Sequence, residues 1–205
     1  LEWKYAHDDP ILEVTEKWEG RYALTKAVEV IDGKVYLYYF GKARTENIGI
    51  AWNTDPDLMT TDWKKHPDNP IFTSKNLNEN AERVFPNAVV KDNGTFYFFF
   101  DSGYHNKTRI PQFAVNVATS KNGTHFEPLK ENILMPGPKG SWDDQAVSQA
   151  AVRKVDDWWY MIYSGFPKDA WKFAQQFGLA RARKPEGPWE KYPGNPIFTA
   201  TGDKE

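Results

Sequence analysis

The pentapeptide NPIFT occurs twice in this chain, at residues 69–73 and again at 195–199. The surroundings repeat as well. Trp63 precedes Pro70 by seven residues, and Trp189 precedes Pro196 by seven. The chain opens with a third copy, WKYAHDDPIL, in which Trp3 stands seven residues before Pro10; a weaker fourth, FEPLKENIL, starts at Phe126. The intervals between Ile11, Ile71, Ile133 and Ile197 are 60, 62 and 64 residues. A period of that length constrains the fold more than any single motif, because each unit must bury its apolar face against its neighbours.

Within each period the same signals recur in the same order. A short apolar segment comes first: AVEVI from Ala27, NAVV from Asn87, AAVRKV from Ala150. A tight turn follows: Asp32-Gly33, Asn93-Gly94, Asp156-Asp157. Asp-Gly and Asn-Gly supply the positive φ angles of a two-residue hairpin. Next is an intensely aromatic strand, VYLYYFG from Val35, FYFFFDSG from Phe96 and WYMIYSG from Trp159, then a variable loop and a third strand, NIGIAWNTD, FAVNVATS or FGLARAR. The Trp or Phe segment ending in NPIF or its relatives closes the unit. Four antiparallel strands in about 60 residues, repeated, predict an all-β fold built of β-propeller blades. Pro gives up an N–H and suits an outer edge, so NPIF reads as a structural closure of each blade, with Ile and Phe plugged between neighbours. The parsing gives an outer strand of a preceding blade at 1–12 and three blades at 13–73, 74–135 and 136–205. Rings need at least four blades. Further blades, or a second chain, are therefore expected to cover the open ends, where aromatics such as Tyr36, Tyr38, Trp159 and Tyr160 stand.

Composition narrows the class. The 205 residues carry a net charge of -2 with both signs interspersed, which argues against nucleic-acid or membrane-surface partners. No apolar run reaches the ~20 residues of a membrane helix. The absence of cysteine excludes disulfides and thiolate metal sites. His7, His66, His105 and His125 show no ligand spacing, so neither metal nor cofactor is expected. Asn93, Asn106 and Asn122 head formal glycosylation sequons, two of which double as turn dipeptides. The first residues already belong to a repeat, so secreted, periplasmic and cytoplasmic locations are all compatible with the sequence.

The combination of Ser141-Trp142-Asp143, AAVRKVDDWWYMIYSG (150–165) and GLARA with GPWEKYPGNPIF (178–198) resembles the five-bladed propellers of carbohydrate-active enzymes, the superfamily of glycoside hydrolase families 43, 32, 62 and 130. The resemblance covers the whole chain blade by blade. It implies a five-bladed ring with three blades represented here, a sugar site on the axis, and action on a glycosidic bond of an oligo- or polysaccharide through carboxylate acid/base catalysis; the alternative is a non-catalytic carbohydrate-binding propeller. In that superfamily the catalytic carboxylates come from the starts of the innermost strands. Aligned on Val28, Val89 and Val152, this chain has Thr25, Pro86 and Gln149 there, or Asn87 in the second blade. All are neutral, which is the departure that favours the binding alternative.

Topology places the long, variable loops after the aromatic strands on one rim, together with the entries to the first strands, and function tends to sit on such loops. On that rim Trp18-Glu19 and Trp142-Asp143 are equivalent positions, 124 residues apart. They are candidates for sugar contact; the competing reading has the Trp packing and the acid capping a loop amide. Asp143 and Asp144 are adjacent, and adjacent acids can raise one another's pKa, as general acid work requires. The second blade offers Glu82 and Arg83, whose plainer role is a salt bridge. Asp101 interrupts FFFDSG where the other blades carry Phe40 and Tyr163. The candidate acids are thus Asp143, Asp144, Glu19, Glu82 and Asp101, with Thr25, Lys26, Arg83, Asn87, His105, Gln149 and Trp171 as candidate sugar-binding groups.

Overall fold

A computed structural model of the chain describes residues 9–43, 46–55, 62–77, 81, 83–105, 111–168 and 176–199, without the side chains at 104, 105, 111 and 112. It consists of three antiparallel sheets. The first contains β1 (Ala23–Ile31), β2 (Lys34–Lys42), β3 (Glu46–Asn53) and β4 (Lys64–Lys65) in that spatial order. The second contains β5 (Arg83–Asp92), β6 (Thr95–His105), β7 (Pro111–Ser120) and β8 (Glu127–Leu134). The third contains β9 (Ala146–Val155), β10 (Trp158–Phe166), β11 (Gln176–Ala182) and β12 (Glu190–Lys191), with β13 (Phe198–Thr199) returning to pair with β11. The expected hairpins form on the expected dipeptides: Asp32 and Gly33 have φ of 49° and 74°, and Asn93 and Gly94 have 46° and 72°. Among the described residues the one helical element is a 3-10 turn at Ser74–Asn76.

The sheets pack face to face, and the first strands β1, β5 and β9 lie side by side, as innermost strands around an axis do. Tyr38, Ile48, Ile50 and Phe72 of the first sheet meet Phe96, Phe98, Phe100 and Phe126 of the second. Phe99, Val115 and Val117 on the other side of the second sheet meet Val152, Trp159, Met161 and Tyr163 of the third. The two faces of the second sheet are therefore both dry, which is why its aromatic strand reads FYFFF without alternation. Each fully buried Phe contributes about 1.5–3 kcal/mol from burial. Polar links cross the same seams: the Tyr38 hydroxyl donates to the Gly123 carbonyl at 2.6 Å, and Lys154 contacts both oxygens of Asp92 at 2.8 Å.

NPIF acts through its asparagine. The Asn69 amide accepts from Ile50 N at 2.9 Å and donates to Ile50 O at 2.9 Å. Asn195 makes the same pair with Leu179, at 2.8 and 2.9 Å. Each side chain stands in for a strand residue, bridging β3 or β11 from its two-residue outer strand to the returning phenylalanine, Phe72 opposite Ile48 or Phe198 opposite Phe177. The weaker copy, ENIL, lacks the proline, and there β8 simply runs on through Leu134.

The end faces differ from the expectation in detail. Tyr38 and Trp159 are buried against the second blade and Tyr36 packs on that core, because aromatic side chains of adjacent strand positions point to opposite faces. Of the four named aromatics, Tyr160 alone borders an open face, with Leu179 and Tyr192. That face is apolar nonetheless. Phe72 is fully buried by the next blade, whereas its equivalent Phe198 is 62% exposed; Tyr38 is buried, whereas Ile162 at the matching position is 46% exposed. On the opposite end, Leu12 packs with Trp18, Tyr39, Ala51 and Trp63.

Candidate active site on the propeller axis

Each innermost strand carries a one-residue bulge near the rim opposite the hairpin turns. In β1 the extra residue lies between Thr25 and Ala27, in β5 between Pro86 and Ala88, and in β9 Gln149 and Ala150 together face Tyr163. Bulges kink a strand and re-aim its side chains. Here they turn Lys26, Asn87 and Gln149 into one cavity of about 210 Å³, whose wall also contains Asp101, Ser148, Pro86 and the rings of Phe40, Phe85, Phe113 and Phe166. Gln149 has φ of 55°, a left-handed conformation that costs a non-glycine residue energy and that clusters at functional sites.

Asp101 is the hub of this cavity. It is 1% exposed. One carboxylate oxygen accepts from the Asn87 amide at 2.6 Å; the other accepts from the Ser148 hydroxyl at 2.7 Å and the Gln149 backbone N–H at 2.9 Å. It thereby ties the second blade to the third and holds the strained Gln149 in place. Burial pushes its carboxyl up to about 6, against the opposing pull of the Gln149, Ser148 and Asn87 hydrogen bonds and the more remote charge of Lys26. Strand register sets Asp101 opposite Phe85, as Phe40 is opposite Leu24 and Ser164 opposite Ser148. Its counterpart in the third blade is therefore Ser164, not Tyr163.

The Trp-acid pairs stand in a different setting. Glu19 is fully buried and accepts from the Thr15 and Glu16 amides at 2.8 Å, from the Tyr39 hydroxyl at 2.7 Å, and from Lys65 at 2.7 and 2.8 Å on its two oxygens. Burial alone would raise its pKa, but the Lys65, Glu16, Tyr39 and Thr15 hydrogen bonds together hold it below the ordinary value. Asp143 repeats the arrangement: Lys191 at 2.5 Å, the Tyr163 hydroxyl at 3.3 Å, and Ser141 at 2.9 Å. In both blades the NPIF asparagine completes the set by donating to the tyrosine oxygen, at 3.2 Å from Asn69 and 3.3 Å from Asn195. The preceding tryptophan lies on that tyrosine, with centroids 5.5 Å apart for Trp18–Tyr39 and 5.6 Å for Trp142–Tyr163. Acid, lysine, tyrosine, asparagine and tryptophan form one clamp repeated in the first and third blades.

Asp143 and Asp144 point apart. Asp144 accepts from the Gly140 and Lys168 amides at 2.7 and 2.8 Å, and these bonds hold its pKa below the ordinary value. For Asp144 the expected elevation does not occur, because two amide donors favour its charged form. Arg83 sits 3.7 Å from the buried Glu46 of the preceding blade, the plainer role named above. Of the candidates, the cavity brings together Lys26, Asn87, Asp101 and Gln149. Thr25, Arg83, Glu19, Asp143 and Asp144 are not among its lining residues. Glu82, Trp171 and the side chain of His105 lie outside the described residues. Sequence reasoning missed Ser148 and the four phenylalanines; Phe40 and Phe166 close their aromatic strands next to the rim, a signal that could have found them. Among the described residues no cluster of His, Asp and Glu fits a metal ion.

Comparison with solved structures finds the same fold. Zg3597, a family 117 glycoside hydrolase of the marine bacterium Zobellia galactanivorans, aligns with a TM-score of 0.75 at 18% identity, over 92% of this chain and 60% of its own. The Bombyx mori GH32 β-fructofuranosidase BmSUC1 aligns at 0.68 and 15% identity, over 88% of this chain and 36% of its own. The Listeria innocua β-1,2-mannobiose phosphorylase aligns at 0.67 and 15%, over 94% and 50%. The chain thus spans 60% or less of the length of these three structures. No curated protein matches it by sequence. The family Glycosyl hydrolases family 43 matches over residues 2–205. With three propeller blades and an axial cavity to go with that match, the chain belongs to glycosyl hydrolase family 43.

Proposed function

We propose that the axial cavity binds a sugar of an oligo- or polysaccharide and that Asp101 supplies carboxylate acid/base chemistry at its glycosidic bond. The observation that carries this is the convergence of Lys26, Asn87, Gln149 and Asp101 from three blades onto one cavity walled by four phenylalanine rings. Sugar rings present apolar C–H faces to aromatic surfaces and hydroxyls to amides and charges, and the cavity offers both. A carboxyl near pH 6 is poised to carry a proton in mild acid and accept one above it, as general acid/base catalysis requires. Hydrolysis needs two carboxylates flanking the bond. Asp101 is the one in the cavity among the described residues; the second comes from Glu82, which precedes Arg83 in the chain, or from blades beyond these three. Glu19 and Asp143 act as structural anchors.

On the same reading, further blades of the same polypeptide complete the ring. The exposure of Phe198 and Ile162, where Phe72 and Tyr38 are buried by a following blade, supports this, as does the fraction of its structural neighbours that the chain spans.

A second reading, a carbohydrate-binding propeller without catalysis, is favoured by the neutral Thr25, Asn87 and Gln149 standing where the resemblance expects carboxylates. One experiment decides. The ring-complete protein is assayed for binding and cleavage of aryl glycosides and oligosaccharides, alongside Asp101→Asn and Glu82→Gln. Cleavage that Asp101→Asn abolishes supports the catalytic reading. Binding without cleavage in the parent protein establishes the binding reading, and absence of both refutes the assignment of the cavity.

A further inference from the structure

We propose that the sugar held in this cavity bears an anionic substituent, a carboxylate or a sulfate ester, and that Lys26 is its partner; the inference rests on the sugar-site reading above. Lys26 and Asp101 are the charged residues of the cavity wall. Asp101 is already served by three neutral donors, Asn87, Ser148 and the Gln149 N–H, at 2.6–2.9 Å. It forms no ion pair with Lys26; the lysine influences it only as the weakest of the contributing groups. Among the described residues Lys26 has no hydrogen-bond or ion-pair partner. The residue is exposed, on a bulge that places it at a cavity of four phenyl rings.

Three nearby lysines are already paired. Lys65 and Lys191 are spent on Glu19 and Asp143, and Lys42 on Glu46. Low-dielectric walls strengthen the attraction of an unspent charge for an incoming anion. A neutral sugar would leave that ammonium without a counter-charge and would use only Asn87, Gln149 and the rings. An anionic one matches every group present, since the amides serve hydroxyls and the lysine serves the acid.

The test is calorimetric titration of the ring-complete protein with neutral hexoses (glucose, galactose, mannose), their uronates, and galactose 6-sulfate, at low and high ionic strength, for the parent and Lys26→Met. The expected result is about tenfold tighter binding of an anionic sugar than of its neutral counterpart at low salt. That preference shrinks at high salt and is lost in Lys26→Met. Preference for uronate over sulfate, or the reverse, identifies the anion. Equal affinity for neutral and anionic sugars overturns the proposal while leaving the sugar site intact. Failure of every sugar to bind overturns both, and a preference that survives Lys26→Met overturns the role of that residue.

Discussion

Replacing Lys65 with methionine tests the repeated clamp most severely. The substitution keeps the stem and removes the ammonium that touches both oxygens of Glu19. The carboxylate stays fully buried, held by the Thr15 and Glu16 amides and the Tyr39 hydroxyl, but without a counter-charge. Breaking a buried ion pair from one side costs about 3–5 kcal/mol. Because the Lys65 side chain is 17% exposed, water moderates the loss, and about 2–3 kcal/mol is expected. For a domain of this size that lowers Tm by roughly 5–10 °C. The sign of the pH dependence follows from the depressed pKa. In the parent, Glu19 contributes stability that is present above its ordinary value near 4.5 and lost as pH falls through the lower folded value. In Lys65→Met the buried, unpaired carboxyl is raised instead, so the variant gains on the parent as the solution is acidified. Thermal and urea denaturation at neutral pH and near pH 4.5 measure both effects, and Glu19→Gln/Lys65→Met is expected to recover most of the loss. A variant within about 0.5 kcal/mol of the parent, with no narrowing of the gap in acid, refutes the reasoning.

Asp101, raised to about 6 by burial, favours the folded state below its ordinary value near 4 and loses that contribution as pH rises through about 6; Asp101→Asn is expected to flatten stability across that window, by about 3 kcal/mol in total, in denaturation measured against pH. Gly178→Ala would set a methyl carbon 2.7 Å from Trp142 and from the Tyr163 ring, and Gly49→Ala one 2.6 Å from Trp18; each is expected to cost about 1–3 kcal/mol of overpacking, read as a lowered denaturation midpoint. Sedimentation of the isolated 205 residues is expected to show self-association or precipitation through the Phe198 and Ile162 face, whereas the ring-complete protein is expected to run as a discrete species.

How far the sequence could be read depended on the range of the interaction involved. Hairpin turns, strand order and the 60-residue period were legible because Asn-Gly and Asp-Gly turns and apolar runs are local signals. The role of NPIF as a blade closure was legible too, but not its means, since Asn69 replaces a strand residue only once β3 lies beside it. The bulges were not legible. A one-residue insertion in a ladder leaves no mark in composition, yet it decides that Lys26, rather than Thr25, lines the cavity. Likewise, Trp18-Glu19 and Trp142-Asp143 announced their equivalence through spacing, while the lysines that neutralise them sit 46 and 48 residues further along the chain. Asp101 was visible as a polar interruption of an aromatic strand, and burial among Asn87, Ser148 and Gln149 is what gives it a place in the site.

The central claim is that the cavity between the three bulged strands is where sugar binds, and a crystal structure of the ring-complete protein soaked with an oligosaccharide tests it most directly. The account predicts a sugar ring stacked against the Phe40, Phe85, Phe113 and Phe166 wall, hydrogen-bonded to Asn87 and Gln149, with Lys26 against an acidic substituent and Asp101 beside the glycosidic oxygen. A sugar ordered instead on the rim of the Asp32-Gly33 and Asn93-Gly94 turns, with the cavity filled by water alone, would contradict it.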